Sequence, residues 1–206
     1  MTTVQQNRLN YLKRLVALRV DEYTEGENVP DLPSGDIDME MANATRSVLR
    51  RAGRNAVMML AKDYVNPDLI QTKRGSTIIP FPHDYVRFLQ VDGRGYKQPV
   101  TGLISNDTRL YKQQVYPMKR TTVEQPYGFL IPYGAGRAVE LFPSIREVES
   151  FLYVPEALAY DLPEEFEDAI VWRTVLAILV IMRSQAVNAV MPLSETAIQE
   201  IGLEVA

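Results

Sequence analysis

Residues 161–183, DLPEEFEDAIVWRTVLAILVIMR, decide how this chain reads. Pro163 has the fixed φ and missing N–H that suit the first turn of a helix. Glu164, Glu165, Glu167 and Asp168 crowd that turn, where the helix dipole favours negative charge, and Arg183 stands near the far end, where it favours a cation. Between them, Ala169 to Trp172 and Val175 to Met182 are apolar on nearly every face. A surface helix shows one apolar stripe, so this one must be covered from several sides. It is not a membrane span: a span needs about 20 predominantly apolar residues, and Arg173 and Thr174 interrupt this one before its longest run. The stretch is either the central helix of a domain core or a helix partly buried against another copy of the chain.

Working outward, 206 residues with 46% hydrophobic and 23% charged side chains suit an ordinary globular protein with a sizeable core, as one elaborated domain or two small ones. No cysteine and one histidine exclude disulfides and argue against a zinc site, which draws on several such ligands. The opening MTTVQQNRLN lacks an apolar core and a small-residue cleavage site, which reads as no signal peptide and a chain that folds in a reducing cytoplasm. The net charge of −4 is uneven: residues 1–62 carry 9 basic and 8 acidic side chains, residues 63–160 carry 11 and 10, and residues 161–206 carry 2 and 8. A protein that grips nucleic acid through phosphates shows a basic excess, and no whole segment has one.

On the N-terminal side, Thr3 and Gln6 fit a capping box, and Leu9, Leu12, Val16 and Val20 follow at helical spacing, so a first helix runs to about Glu22. Tyr23 to Gly35, with two glycines and two prolines, reads as a loop. A second helix runs from Asp36 to about Tyr64, with Ile37, Met41, Ala44, Val48, Ala52 and Met59 on one face, and Asn66-Pro67 ends it. Asp36, Asp38 and Glu40 lack the glycine and distal glutamate of a calcium loop and instead complement the dipole. Arg46, Arg50 and Arg54 recur at i, i+4, i+8 as a basic ridge. It is either a solvated face or a contact for an acidic partner, such as the opening of the Asp161 helix in another subunit.

From Ser76 to Pro155, short β-branched and aromatic runs separated by Gly, Pro, Asn and Asp predict an antiparallel β subdomain. The expected strands are 77–79, 85–91, 100–104, 127–132, 138–142 and 148–153, with turns at Gly134-Ala135-Gly136 and Asp92-Gly93-Arg94-Gly95. No phosphate-loop or dinucleotide pattern extends from these glycines, so no cofactor is expected. Arg109 to Arg120 interleaves four basic residues (Arg109, Lys112, Lys119, Arg120) with Tyr111 and Tyr116. It reads either as a mobile solvated loop or as a stretch that touches nucleic acid. After the central helix, Met191-Pro192 breaks the chain, and Leu193, Ile198, Ile201 and Leu203 lie in a terminal segment too short to stand alone in water. The reading is α+β: N-terminal helices (1–72) and a long core helix (161–191) forming a bundle, an inserted antiparallel β subdomain (73–160) and a docking tail (192–206). His83 adjoins Asp84, but neighbours in sequence rarely form a productive pair and no nucleophile motif accompanies them, so nothing asks for an enzyme.

Three motifs taken in order resemble a known family. Ile79 to Phe88 (IPFPHDYVRF) is similar to its "P-x-D-[FY]" strand start. Val139-Glu140-Leu141-Phe142-Pro143 and the run to Tyr153 are similar to its "I-x-L-x-P" and "I-x-Y" meander. Asp161 to Phe166 (DLPEEF) is similar to the "LP-x-x-F" start of its long helix. Following two N-terminal helices, they resemble the head-to-tail adaptor, or connector, proteins of short-tailed bacteriophages. The resemblance covers roughly residues 1–190 and departs from the family in the Tyr23–Gly35 loop and the Arg109–Arg120 insertion.

That resemblance implies a virion structural protein and no enzyme. It implies a ring of about twelve copies, closed by head-to-tail contacts, beneath the portal at the head–tail junction. Such a ring extends the DNA channel, supports the next tail component and helps retain the genome. The partners implied are other copies, portal, a downstream tail protein and passing double-stranded DNA, with no membrane. The residues expected to carry these contacts are Arg46, Arg50, Arg54, Glu164, Glu165, Asp168, Val175, Ile178 and Met182 between subunits; Leu193, Ile198, Ile201 and Leu203 on portal; and Arg109, Lys112, Lys119 and Arg120 toward the channel or tail. A stopper or baseplate module, and a DNA-binding module, are the alternatives.

Overall fold

The computed structural model describes residues 1–27, 34–114 and 116–201. It is a mixed α+β protein with six helices and two sheets among the described residues. In chain order, α1 (Thr3–Thr24), α2 (Ser34–Arg51) and α3 (Arg54–Met58) precede β1 (Lys62–Asp63), β2 (Ile70–Gln71), β3 (Thr77–Pro80), β4 (Tyr85–Gly93) and β5 (Leu103–Ser105). Then come α4 (Arg109–Gln113), β6 (Tyr127–Tyr133), β7 (Gly136–Phe142), β8 (Val148–Pro155), α5 (Glu167–Ile181) and α6 (Val187–Glu200). The chain forms two compact units: residues 1–59 with 156–206, and residues 60–155. The second unit therefore begins at Leu60, not at residue 73.

In the helical unit, α5 packs against α1, α2 and α6. It buries Ala169, Ile170, Val171, Thr174, Val175, Leu176, Ile178 and Leu179. The buried Thr174 hydroxyl donates to the Ile170 carbonyl at 2.7 Å, so it costs little. The α-helix opens at Glu167, later than the sequence predicts, because Pro163 instead heads a 3-10 turn, Glu164–Phe166, that carries the fully buried Phe166. At its other end the Ser184 N–H donates to the Leu179 carbonyl (3.0 Å) and the Arg183 N–H to that of Val180 (3.2 Å). This is the Schellman pattern, with Arg183 at φ 55 where glycine is usual.

The flanking helices correct the sequence reading in three places. The capping box belongs to Thr2 and Gln5, one residue earlier: the Thr2 N–H donates to Gln5 Oε1 (2.8 Å) and the Gln5 N–H to Thr2 Oγ1 (3.3 Å). The run TTVQQ permits either register. The second helix stops at Arg51. A Cβ at Gly53 would stand 3.1 Å from the Ile201 carbonyl oxygen, so the close approach of the C-terminal helix sets the break and Met59 is left exposed. Finally, α6 runs straight through Pro192. A proline inside a helix costs about 3 kcal/mol; here burial of Val190, Ile198 and Ile201 offsets it. The segment after Pro192 is part of the unit's own core. Leu203 and residues 28–33 of the Tyr23–Gly35 loop lie outside the described residues, while Tyr23 and Thr24 belong to α1 and Ser34 and Gly35 to α2.

The second unit holds the sheets β1-β8-β4 and β2-β3-β7-β6-β5. All six expected strand stretches contain a strand, although Val100 makes only an isolated bridge to Val91. The turn between β6 and β7 is Gly134-Ala135, with Gly134 at φ 55, as a two-residue hairpin connection requires. One pair departs from the antiparallel expectation: β5 runs parallel to β6, Leu103 opposite Gly128. Parallel pairing needs a crossover of about a dozen residues or more, and residues 106–126 supply it through α4.

That crossover explains why β7 is buried on both faces. Val139 and Leu141 join Ile79, Phe88, Val91 and Phe151 in one cluster, while Ala138 and Phe142 join Phe129 and Ile131 in another. Leu110 and Tyr111 of α4 cover the second cluster.

Candidate functional site

Two surfaces of the helical unit are apolar and uncovered. On α1, Leu12, Val16 and Val20 face inward, while Val4 (76% exposed), Tyr11 (53%) and Leu18 (55%) recur every seven residues on the opposite face. Exposed Asn7 and Arg14 lie between them along the helix, and exposed Asp21 lies just beyond Leu18. On α5, Val180 and Ile181 are each more than half exposed. With Glu40 of α2 and Arg173, Leu176 and Ala177 of α5 they line a groove of about 350 Å³. The seven-residue spacing on α1 is visible in sequence but was masked there by the stronger inward pattern.

The residues expected between subunits are dispersed. Val175 and Ile178 are fully buried and Met182 nearly so, all within their own unit, so none is available to a neighbour. Arg46 pairs with Glu156, Arg50 is exposed, and Arg54 falls on α3 beyond the helix break, so the ridge is interrupted. In the acidic turn, Glu167 accepts from Arg8 Nε at 2.8 Å and Asp161 accepts from Gln5 Nε2 at 2.8 Å. Glu164 and Asp168 are exposed, and Glu165 has one buried carboxylate oxygen with no partner among the described residues.

Of the residues expected on portal, Ile198 and Ile201 are buried within the helical unit and Leu193 is 37% exposed. Glu195 is held by Arg51, which keeps its carboxyl below the usual range, with Arg173 at 3.8 Å adding a weaker pull. This pair ties α6 to α2.

In the sheet unit the stretch from Arg109 to Arg120 is no loose loop. It forms α4, capped by Thr108 Oγ1, and a 3-10 turn at Pro117–Lys119. Its anchor is Glu140 of β7, 3% exposed, which accepts from Ser76 Oγ (2.5 Å) and Tyr111 Oη (2.7 Å). Burial, then the Glu140 carboxylate, pushes the Tyr111 phenol up to about 12, with Arg74 working against them. Arg120 is structural in part: its Nε donates to the Gln114 carbonyl at 3.0 Å, and a guanidinium nitrogen stands 3.2 Å from where a Cβ at Gly75 would be. The fold thus brings the β2–β3 turn, with Lys73 and Arg74, beside the helix that carries Arg109 and Lys112. None of Lys73, Arg74, Arg109, Lys112, Lys119 and Arg120 makes a salt bridge among the described residues. Tyr116 and Met118 are exposed beside them. The contribution of Lys73 and Arg74 depends on strand pairing, and no local signal reveals it.

His83 is exposed, and Asp84 turns from it to accept from Tyr153 Oη (2.9 Å) and Lys62 Nζ (3.1 Å). Burial opposes the Asp84 charge, but these two donors hold its carboxyl below the usual range. Burial and then Asp84 raise the Tyr153 phenol, while the hydrogen bond that Lys62 donates to Asp84 raises its ammonium. Donors kept protonated in this way bridge β1, β8 and the start of β4; they do not exchange protons near neutral pH.

Comparison with protein-family models and with curated proteins finds no match to the chain. Among the described residues no helix is long and apolar enough to cross a membrane.

Proposed function

We propose that this chain is an assembly protein whose working form is a closed ring: a head–tail adaptor of a short-tailed bacteriophage. In this reading it is a helical bundle with an inserted β subdomain that sits below the portal, joins capsid to tail, extends the DNA channel and supports genome retention and ejection. The observation that carries it is the uncovered apolar surface of α1 and α5. A domain of this size buries such side chains against itself when it can; Val180 and Ile181 adjoin beside an apolar groove, and such exposed patches mark contact surfaces. The sheet unit, with six basic residues around α4 that make no salt bridge among the described residues, would face the tail partner or the channel. Multi-angle light scattering and negative-stain imaging of the purified chain, alone and with portal, test the proposal. Rings are expected in one or both conditions; a chain that stays monomeric with portal present contradicts it.

A second reading, a DNA-binding module, is favoured by one observation: the six basic residues without ion pairs around the β2–β3 turn and α4. Steep loss of DNA affinity with salt for the isolated monomer would support it.

A further inference from the structure

We propose that the outer face of α1 in one copy docks in the α5–α2 groove of the next. This rests on the assembly reading and names the contact that builds the ring. Val4, Tyr11 and Leu18 form a stripe two helical turns apart, about 10 Å between successive side chains, long enough to span several turns of a facing helix. The groove offers what such a stripe needs: Ala177 is small enough to admit a helix closely, and Leu176, Val180 and Ile181 supply apolar wall. An apolar helix face laid into a hydrophobic groove is a recurring recognition mode.

Charge selects a second copy as the occupant. The stripe carries Arg14 and Asp21, both exposed and without an ion pair among the described residues. The groove carries Glu40, also without one, and Arg173, whose one ion pair among the described residues is the 3.8 Å contact to a Glu195 already held by Arg51. Arg14 toward Glu40 and Asp21 toward Arg173 match one cation and one anion on each side. Stripe and groove are different surfaces, so the contact is heterologous: each bound copy still presents a free stripe or a free groove, and addition continues until the ring closes.

Two variants test it on the full chain, with circular dichroism to confirm folding. Leu18→Asp spoils the stripe and keeps the groove; Val180→Asp does the reverse. Both positions are more than half exposed, so the fold should tolerate them. Each alone is expected to lose rings, with association weakened about tenfold or more. Mixed, they should form dimers and stop there, because one intact stripe meets one intact groove. Arg14→Glu and Glu40→Arg should each weaken assembly, and together in one chain restore it. The inference is overturned if the variants form rings like the parent, if the mixture gives no dimers, or if they lose only portal binding. If the parent itself never forms rings, with or without portal, the assembly reading falls and takes the inference with it.

Discussion

The two units differ in how far they pair their basic side chains. The helical unit engages Arg8, Lys13, Arg19, Arg46, Arg51 and Arg173 in ion pairs yet leaves Val4, Tyr11, Leu18, Val180 and Ile181 in water. The sheet unit closes two apolar clusters around β7, though Val65, Tyr116 and Met118 stay exposed, and pairs Lys62 and Arg94 but leaves six basic residues around α4 without a salt bridge among the described residues. Contacts made by the first unit, apolar with two flanking charge pairs, should lose less to salt than those made by the second, which should weaken steeply as ionic strength rises. One chain can in this way build a durable contact with its own copies and a looser one with a charged partner.

The comparison breaks hardest where the helical core is charged. Ile178→Asp places an unpaired carboxylate in a fully buried site and should cost about 4 kcal/mol or more, unfolding the helical unit in a denaturant titration. Ile201→Asp, at a 4% exposed position beside Gly53, should also destabilise the unit, by about 2–4 kcal/mol. Sequence alone assigns that residue to a detachable tail, so a variant with parental stability would restore the tail.

In the sheet unit, Tyr111→Phe removes one of the two hydroxyls that donate to buried Glu140 and should cost about 1–3 kcal/mol. Hydrogen exchange should quicken in α4 before it does in β7. The same phenol predicts an alkaline transition. Its folded value near 12 lies above the ordinary 10, so its contribution is whole below about pH 10 and is lost as pH rises toward 12. Tyrosinate absorbance followed against unfolding checks the window. At the other end of the scale, Glu195 is held below its ordinary range by Arg51, so that pair supports folding above the unfolded carboxylate value and fades as pH falls through the lower folded one. Glu195→Gln should flatten this acid limb slightly.

The smallest effects sharpen the contrast. Ser194 Oγ is fully buried with no hydrogen-bond partner among the described residues, so Ser194→Ala should stabilise by about 1 kcal/mol in thermal melts. Lys73→Ala with Lys112→Ala, both exposed, should leave stability within about 0.5 kcal/mol while lowering the salt-sensitivity of any anion binding by the sheet unit.

How much of this was legible in sequence follows from what each signal reports. Short β-branched and aromatic runs bounded by turn residues report strands, and β3, β4, β6, β7 and β8 lie where such runs predict them, whereas β1 and β2, two residues each, are too short to make one. Uniform greasiness marked α5 as the helix to be covered, but not which residues its neighbours would reach, so Val175 and Ile178 were assigned outward while Val180 and Ile181 are the exposed ones. Pro192 was read as a stop because local cost was weighed without the packing that offsets it. The Arg46–Arg54 ridge supposes an unbroken helix, although Gly53 after Arg50 and Arg51 is a local stop signal; what no local pattern encodes is the close approach of Ile201 to Gly53. Lys73 and Arg74 meet α4 only through the pairing of β3 with β7.

The most direct test of the central claim is the mass of the assembly formed by the full chain at high concentration, with portal absent and then present. A single closed species of many copies, lost in both Leu18→Asp and Val180→Asp and replaced by dimers when these are mixed, is the predicted result. A monomer under both conditions contradicts it.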